Sequence, residues 1–238
     1  MSQEIHLVHL YPVLMNIYGD TGNRLVLQRR MEWRGIKVRT TLVEVGDDIP
    51  KDADIILGGG AQDAVQSAVE ADLQQKADIL LKLAEDGVVM LMVCGMYQLF
   101  GRRFVTGEGR EIKGIGILPL ETHAGQTRFI GNTIYRTPWG EVAGYENHSG
   151  LTMLDDTAAC LAQVVKGAGN NGQDGTEGCL QRSVFGTYSH GPILAKNPAL
   201  ADELIRRAIE RKYGQAELQP LDDTLELRAA KAAMRRPR

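Results

Sequence analysis

The sequence predicts an α/β fold with a central, mostly parallel sheet, helices on both faces and some antiparallel strands. Strand-like and helix-like segments alternate three times before Gly101, which is typical of a parallel sheet covered by helices. After Gly114 the pattern changes to short alternating runs with many glycines, which indicates antiparallel or mixed strands. A chain of 238 residues can bury a sizeable core, and we predict one domain over residues 1–238.

The first two repeats account for the N-terminal third of the chain. A strand from Ile5 to Leu10 is followed by a helix from Asn23 to Arg34, which ends at Gly35. A second strand, rich in β-branched residues, runs from Lys37 to Val45. The second repeat is the strand in "ADIILGGG" and one long helix from Val65 to Ala84, whose apolar residues recur every three or four positions.

The third repeat, "EDGVVMLMVCGMYQLFG", ends a buried strand on a cysteine. Val88 to Val93 form an apolar run, and the residues after Cys94 predict a short helix. Cys94 therefore lies on a strand-to-helix turn at the carboxyl end of a central strand, where α/β proteins bind ligands. Such a turn presents a nucleophile, although a cysteine in this position is also common as a small core residue.

The second half contains three runs that predict strands: "TRFIGNTIYRT", "CLAQVVKG" and "SVFGTYSH". The segment "KGAGNNGQDGTEG" between the last two predicts a surface loop, because glycine and asparagine favour turns. An amphipathic helix at residues 201–209 closes the domain. Residues 221–238 are either a frayed helix or a basic tail.

Composition excludes several classes of protein. The formal net charge is −3 and no basic block precedes the last few residues, so we predict no nucleic-acid partner. No apolar run approaches the roughly 18 residues of a membrane span, and the N-terminus lacks a signal pattern, so we expect a cytoplasmic chain. The three cysteines are too widely spaced for a disulfide framework or a CxxC-type metal site.

A thiol nucleophile needs a base that is close in space, and histidine is the usual one. Among the five histidines, His190 in "SVFGTYSHGPIL" is the best placed, because it also lies at a strand end. A solvated or core histidine is the alternative interpretation. His6 and His9 alternate along the first strand, and we predict that they are structural.

The glycines Gly58, Gly59 and Gly60 lack the Lys-Ser/Thr pair of a phosphate-binding loop. Glycines at a strand end let backbone N–H groups approach a substrate oxygen, which is what an oxyanion hole requires. We predict such a hole, with the N–H of Gly95 as the second donor. A tight turn without a further role is the alternative.

Two further segments carry polar side chains. Arg128 in "GQTRFIGNT" suits a clamp on a substrate carboxylate, and a solvated strand arginine is the alternative. In "GYENHSG", Glu146 and His148 have the spacing of a metal-binding pair, but no second cluster completes a site. We therefore predict no metal.

These motifs together resemble a known family. "CGMYQ" and "GTYSHGP" resemble the cysteine and histidine segments of glutamine amidotransferases of the cobyric acid synthase type. "LYPVLMNIYGDTGN", "GGGAQD", "TRFIGN" and "GYENHSG", in this order, are similar to the glutaminase subunits of lipid II isoglutaminyl synthases. The resemblance covers Ile5 to about Tyr213, and the tail, about 214–238, lies outside it.

The resemblance implies a class I glutamine amidotransferase-like, flavodoxin-like three-layer sandwich. It also implies roles for individual residues: Cys94 as nucleophile, His190 as base and then acid, and Arg128 as the residue that binds L-glutamine. The backbone of Gly59 or Gly60 with that of Gly95 would form the oxyanion hole. Gln98 would support the site.

The implied function is a glutaminase that supplies ammonia to a Mur-ligase-like partner, MurT, which amidates the D-glutamate α-carboxyl of lipid II. The chain itself would hold no cofactor, since ATP and Mg²⁺ are expected in the partner. It would reach the inner face of the membrane through lipid II, its partner's substrate. The alternatives are a cobyric acid synthase-type amidotransferase that feeds another synthetase, and a non-catalytic subunit that stabilises its partner.

The chain departs from the family pattern at two positions. Met96 replaces a glycine usual in the cysteine motif, so the first helical turn must accommodate a bulky side chain. Pro192 stands where many amidotransferases carry the glutamate that orients the histidine. We therefore expect the partner to supply the orienting carboxylate, as an aspartate, with Glu146 as the internal alternative.

Overall fold

Two sheets and the helices around them make up the computed structural model, which describes residues 3–237, apart from the side chains of residues 63, 64 and 67. The strands are β1 (Glu4–Leu10), β2 (Lys37–Val43), β3 (Ile55–Gly58), β4 (Val89–Val93), β5 (Arg103–Val105), β6 (Glu111–Lys113), β7 (Leu120–Thr137), β8 (Gly140–Leu154), β9 (Ala162–Lys166), β10 (Thr176–Glu177), β11 (Cys179–Gln181) and β12 (Val184–Thr187). The helices are α1 (Thr21–Glu32), α2 (Asp63–Gln75), α3 (Ala77–Glu85), α4 (Gly95–Phe100), α5 (Pro198–Tyr213) and α6 (Thr224–Met234), with a 3₁₀ helix at Ile193–Lys196.

The first sheet has the order β11-β12-β4-β3-β1-β2. Its strands are parallel from β2 through β12, and only the edge strand β11 is antiparallel to its neighbour. Every residue of β3 and β4 is buried, as expected for strands covered by helices on both faces. The predicted α/β fold is confirmed.

The second sheet has the order β10-β9-β7-β5-β6, with β8 paired to β7. Its centre is the long antiparallel hairpin of β7 and β8, whose register shifts between Ala124 and Phe129. The predicted antiparallel strands are thus mostly gathered in a sheet of their own. The run "SVFGTYSH" is different, because its strand β12 pairs in parallel with β4 in the first sheet.

The helices differ from the sequence prediction at one place. The single long helix expected between Val65 and Ala84 is two helices, α2 and α3, which meet at Lys76. The buried Lys76 ammonium makes a short contact with Asp72, whose carboxylate also accepts a hydrogen bond from Tyr11 Oη at 2.6 Å. The apolar repeat in the sequence continues across this junction, so the pattern did not predict the break. No helix in residues 3–237 combines the length and the apolar character needed to cross a bilayer.

A buried arginine connects the C-terminal segment to the first helix. Arg30 of α1 is 2% exposed. Its guanidinium donates to the carboxylate of Asp202 at 2.7 and 2.8 Å and to that of Asp223 at 2.5 Å. Asp202 belongs to α5 and Asp223 immediately precedes α6, so one side chain fixes three helices. Residues 221–238 therefore contain a docked helix.

We predict that Arg30→Ala lowers the free energy of unfolding by about 2 to 3 kcal/mol, because it removes the cation between two carboxylates that are only about a quarter exposed. Urea denaturation followed by circular dichroism measures the loss. Arg29→Ala is the matched control, since Arg29 is 67% exposed, and should change stability by less than about 1 kcal/mol. Equal losses in the two variants would contradict this role of Arg30.

Candidate active site

Cys94 lies at the carboxyl end of β4, on the turn that leads into α4. Its backbone has φ 50° and ψ −104°, a conformation that L-residues rarely adopt. The N–H of Cys94 donates to Thr187 O at 2.8 Å, which fixes the turn against the end of β12. Strained backbone at a strand-to-helix turn is the way a nucleophile is held clear of the sheet. The side chain is nevertheless 7% exposed, so a substrate must enter a cavity to reach it.

His190 follows β12, the strand next to β4, and is fully buried. The backbone N–H of His190 donates to Tyr145 O of β8 at 2.7 Å. The Tyr18 ring packs on the imidazole in an edge-type contact, at a centroid distance of 4.5 Å. The first contact fixes the backbone of His190, and the second restricts its ring. An added Cβ on Gly60 would lie 2.7 Å from His190 Cε1 and 3.2 Å from Cys94 Cβ, which shows how closely the three residues approach.

A carboxylate faces the same histidine from the N-terminal part of the chain. Asp20 Oδ2 lies 3.7 Å from His190 Nδ1, and Asp20 is 2% exposed. Burial alone would lower the pKa of His190, but the thiolate of Cys94 and the carboxylate of Asp20 outweigh it and raise the pKa to about 10. The 3.7 Å separation is long, as catalytic contacts often are before substrate binds. The arrangement favours the imidazolium form of His190.

Asp20 is the residue that sequence reasoning missed. It directly precedes α1 and has the residue type of a helix N-cap, yet its side chain makes no capping hydrogen bond. Instead Oδ2 accepts the N–H of Gly60 at 2.8 Å. Asp20 is therefore an internal candidate for the orienting carboxylate, and the expectation that the partner supplies this group stays a prediction. The only available signal was the stretch "YGDTGN", because the contact joins segments far apart in sequence.

Glu146, the internal alternative, has a different environment. Its carboxylate accepts hydrogen bonds from Ala168 N–H at 2.9 and 3.0 Å and from Tyr135 Oη at 3.2 Å. These contacts lie in the second sheet and the loop after β9. Glu146 therefore stabilises that loop, and Asp20 is the carboxylate beside His190.

The glycine turn after β3 packs against all of these groups. Gly59 O accepts the N–H of Met96 at 3.2 Å, and a Cβ on Gly59 would lie 2.1 Å from Met15 O. The N–H of Gly60 donates to Asp20 and is therefore not available to an oxyanion in this structure, whereas the alternative donor, Gly59, stays a prediction. Met96 is accommodated because it packs on Gly58, where a Cβ would lie 2.4 Å from Met96 Cγ. Gly58 and Gly59 are thus needed because neither position has room for a side chain.

The next residue along the turn replaces Gly60 as a donor. A Cβ on Gly95 would lie 3.1 Å from the Ala61 nitrogen, so the backbone amides of Gly95 and Ala61 are neighbours. Gly95 is the first residue of α4, where N–H groups have no partner within the helix. Gly95 and Ala61 are thus a pair of neighbouring amides on the turns beside Cys94, and we expect them to bind the oxyanion.

A cavity of about 310 Å³ opens beside Cys94. Gln98 lies in its wall and is 4% exposed, with Oε1 accepting from Gln66 Nε2 at 2.9 Å and Nε2 donating to Tyr188 Oη at 3.1 Å. These bonds fix the amide, and the supporting role expected for Gln98 stays a prediction. Gln66 was not identified from the sequence.

Arg128 lies at the mouth of the same cavity. It is exposed and occupies the irregular part of β7 where pairing with β8 is interrupted. Its Nε donates to Asn147 Oδ1 at 2.7 Å, which leaves the two Nη groups for a ligand. A guanidinium held in this way suits a carboxylate.

His148 also lines the cavity. Its ring stacks on Tyr188 at 3.7 Å with an interplanar angle of 3°, and Nδ1 donates to Gly150 O at 2.9 Å. Across residues 3–237 no group of three or more His, Cys, Asp and Glu side chains is arranged to hold a metal ion. His148 is therefore a wall of the cavity, which sequence reasoning had considered only as a metal ligand.

Known proteins are similar to this chain over most of its length. Residues 6–198 match the model of the CobB/CobQ-like glutamine amidotransferase domain. The GatD subunit of lipid II isoglutaminyl synthase (glutamine-hydrolyzing) from Streptococcus pneumoniae is 39% identical, over 93% of this chain and 87% of that protein. The Staphylococcus aureus subunit of the same name is 35% identical, over 95% of this chain and 93% of that protein.

Solved structures support the fold. A chain in the structure of PurLQS from Thermotoga maritima superimposes with a TM-score of 0.57 at 18% identity, over 89% of this chain and 97% of that one. At this identity the similarity establishes the architecture alone. Taken with the match over residues 6–198, it shows that this chain belongs to the family of CobB/CobQ-like glutamine amidotransferase domains.

Proposed function

We propose that this chain is a glutaminase that hydrolyses L-glutamine to glutamate and ammonia through a thioester on Cys94. The observation that carries the proposal is Cys94, held on a positive-φ turn beside a buried histidine that faces a buried carboxylate. This arrangement supplies a nucleophile, a base and an orienting group in one place. The names of the two GatD relatives support the same activity.

The reaction begins with attack of the Cys94 thiolate on the side-chain amide carbon of glutamine. The oxygen of the tetrahedral intermediate accepts hydrogen bonds from the N–H groups of Gly95 and Ala61. His190, as imidazolium, donates a proton to the departing nitrogen, and ammonia leaves. His190 then takes a proton from water, which attacks the thioester and releases glutamate. Asp20 holds His190 in position through both steps.

Arg128 provides recognition of the amino acid end of the substrate. Its free Nη groups pair with the α-carboxylate of glutamine, while the cavity wall at Gln98 and His148 receives the side chain. The distance from the cavity mouth to Cys94 thus selects a substrate with a carboxylate several bonds from its amide. An arginine is preferable to a lysine here because its planar fork binds a carboxylate through two hydrogen bonds.

We further propose that the ammonia passes to a Mur-ligase-like subunit, MurT, which uses ATP and Mg²⁺ to amidate the D-glutamate α-carboxyl of lipid II. The support is that the two relatives, which match this chain over most of their length, are subunits of lipid II isoglutaminyl synthase. Direct transfer is useful because ammonia is mostly protonated in neutral water and then is not nucleophilic. The chain would work in the cytoplasm, at the inner face of the membrane where its partner meets lipid II.

Two other functions remain as alternatives. A cobyric acid synthase-type amidotransferase would feed a different synthetase, and co-purification from the native host would identify that partner. A non-catalytic subunit would retain the fold with Cys94 as a core residue. The strained turn at Cys94 disfavours the second alternative, because packing alone gives no reason to hold a cysteine at positive φ.

We predict that Cys94→Ser abolishes amidation supported by glutamine and leaves amidation supported by a high concentration of ammonium salt intact. The reason is that Cys94 only generates ammonia, while the partner uses it. Product formation by the purified complex with each nitrogen source is the measurement. Loss of both activities in a variant that still binds its partner would contradict the division of labour, and equal glutamate release by wild type and Cys94→Ala would favour the non-catalytic subunit.

Arg128→Ala should raise KM for glutamine more than it lowers kcat, because a carboxylate clamp binds substrate and transition state alike. Loss of the charge-assisted contact should cost about 2 to 4 kcal/mol in kcat/KM. Arg136→Ala is the control, since Arg136 is an exposed arginine of the same strand, outside the cavity. An unchanged KM in Arg128→Ala would mean that Arg128 is a solvated arginine of β7 and does not bind the substrate.

Asp20→Asn should shift the alkaline limb of the kcat/KM profile to lower pH. The imidazolium of His190 is present below its pKa of about 10, and removal of the Asp20 charge lowers that pKa. An asparagine Oδ1 can still accept the N–H of Gly60, so the turn is preserved. We also expect the rate to fall by at least about tenfold.

The pH profile is measured with this chain alone and with its partner, and Asp48→Asn, at an exposed acid, is the control. An unchanged profile and rate in Asp20→Asn would mean that another group orients His190, and a carboxylate from the partner would then be the candidate. The variant therefore distinguishes an internal orienting residue from a supplied one.

A further inference from the structure

The C-terminal helix carries an unusual concentration of positive charge. Residues 224–238 contain five basic residues and Glu226 as the only acid, a formal charge of +4, whereas the whole chain has −3. The remaining 223 residues therefore carry −7. Four of these residues are exposed and form a surface that we name the basic face: Arg228, Lys231, Arg235 and Arg236.

The basic face differs from the other cationic parts of the protein. The arginines of α1, β5 and α5 mostly pair with carboxylates, as Arg30 does with Asp202 and Arg206 with Glu203. Within residues 3–237, none of the four side chains of the basic face forms an ion pair with a carboxylate. Its charge is therefore available to an external partner.

The fold holds the basic face in a fixed position. Ala230 is a buried residue of α6, and Asp223, directly before the helix, is bound by Arg30. Beyond the helix, Asn132 Nδ2 donates to Pro237 O at 2.7 Å, and Lys166 Nζ makes a short hydrogen bond to Arg236 O. The segment is therefore held at its start, at Ala230 and at residues 236–237, while the four cations of the basic face are exposed.

Exposed apolar residues accompany the charge. Leu225 is 73% exposed and Leu227 is 50% exposed. Leu225, Arg228, Ala229 and Ala232 recur at three- and four-residue intervals and are all exposed, so they share one outward side of α6. Leucine and alanine beside unpaired cations are typical of helices that lie in the interface of an anionic bilayer.

We propose that α6 and the basic face bind the surface of a membrane that contains anionic lipids, with Leu225 entering the boundary between headgroups and acyl chains. An anionic bilayer satisfies both observations, since it pairs with every cation and takes up the exposed leucine. Nucleic acid would pair with the cations but offers no apolar layer for Leu225. An amphipathic helix with a cluster of this size suffices for reversible binding, because each Lys or Arg near an anionic surface strengthens binding about fivefold.

This surface is separate from the active site. No residue that lines the cavity beside Cys94 belongs to α6, which packs instead at the far, hairpin end of β7 and β8. Membrane binding therefore leaves the cavity mouth and Arg128 accessible. The inference does not depend on the proposed function, although an enzyme whose partner acts on a lipid-linked substrate would benefit from it.

The test is co-sedimentation of the full chain with vesicles of phosphatidylglycerol and phosphatidylcholine and with vesicles of phosphatidylcholine alone. We expect binding to the first at low ionic strength, at least tenfold weaker binding to the second, and loss of binding as salt is raised. Replacing both Arg228 and Lys231 by alanine should weaken binding to the anionic vesicles roughly twentyfold. Leu225→Ser should weaken it by a smaller factor.

The control removes the same charge elsewhere, with Lys51→Ala and Lys82→Ala combined, since both lysines are exposed and distant in sequence from α6. This variant should bind like wild type, and all variants should have the circular dichroism spectrum of wild type, which shows that they are folded. Equal binding to both kinds of vesicle, or an equal loss in the control, would overturn the proposal. Tighter binding to duplex DNA than to anionic vesicles, with Leu225→Ser unaffected, would also overturn it.

Discussion

The active site depends on the burial of one carboxylate, that of Asp20. A buried charge is costly unless it is paired and hydrogen-bonded. Asp20 Oδ2 accepts the N–H of Gly60 and lies 3.7 Å from His190 Nδ1, while Oδ1 has no hydrogen-bond partner among the described residues. This contact joins the loop before α1, the turn after β3 and the loop after β12. Because Gly59 and Gly60 leave no room for a side chain, the turn can approach both Asp20 and Cys94. A carboxylate in this position thus lies between the glycine turn and the histidine.

The rest of the fold brings these segments to one edge of the first sheet. β3, β4 and β12 are neighbouring parallel strands, so the residues that follow them emerge at the same carboxyl edge. The second sheet completes the cavity, because the irregular part of β7 places Arg128 over its mouth and β8 places His148 in its wall. Arg30 holds α1 against α5 and the segment before α6, and Asp20 directly precedes the same helix. Arg30 and the catalytic centre are thus connected through α1.

Patterns within a short stretch of sequence predicted the secondary structure of that stretch. The apolar run before Cys94 and the glycine after it predicted the strand, the turn and the short helix, and all are present. Long-range contacts could not be obtained in this way. Asp20 has the residue type of a helix cap, so only the packed structure shows that its carboxylate serves Gly60 and His190 instead. Likewise, the loss of Gly60 as an oxyanion donor follows from its hydrogen bond to Asp20, and the break at Lys76 lies within an uninterrupted apolar repeat.

The central claim is that Cys94 forms a covalent intermediate with the glutamyl group of glutamine. The most direct test is rapid acid quenching of the chain, in the presence of its partner, during turnover of labelled glutamine, followed by mass spectrometry of the intact protein and its peptides. The account predicts a glutamyl adduct on the peptide that contains Cys94, and no adduct in Cys94→Ala. Glutamate release at the wild-type rate by Cys94→Ala, or an adduct on another residue, would contradict it.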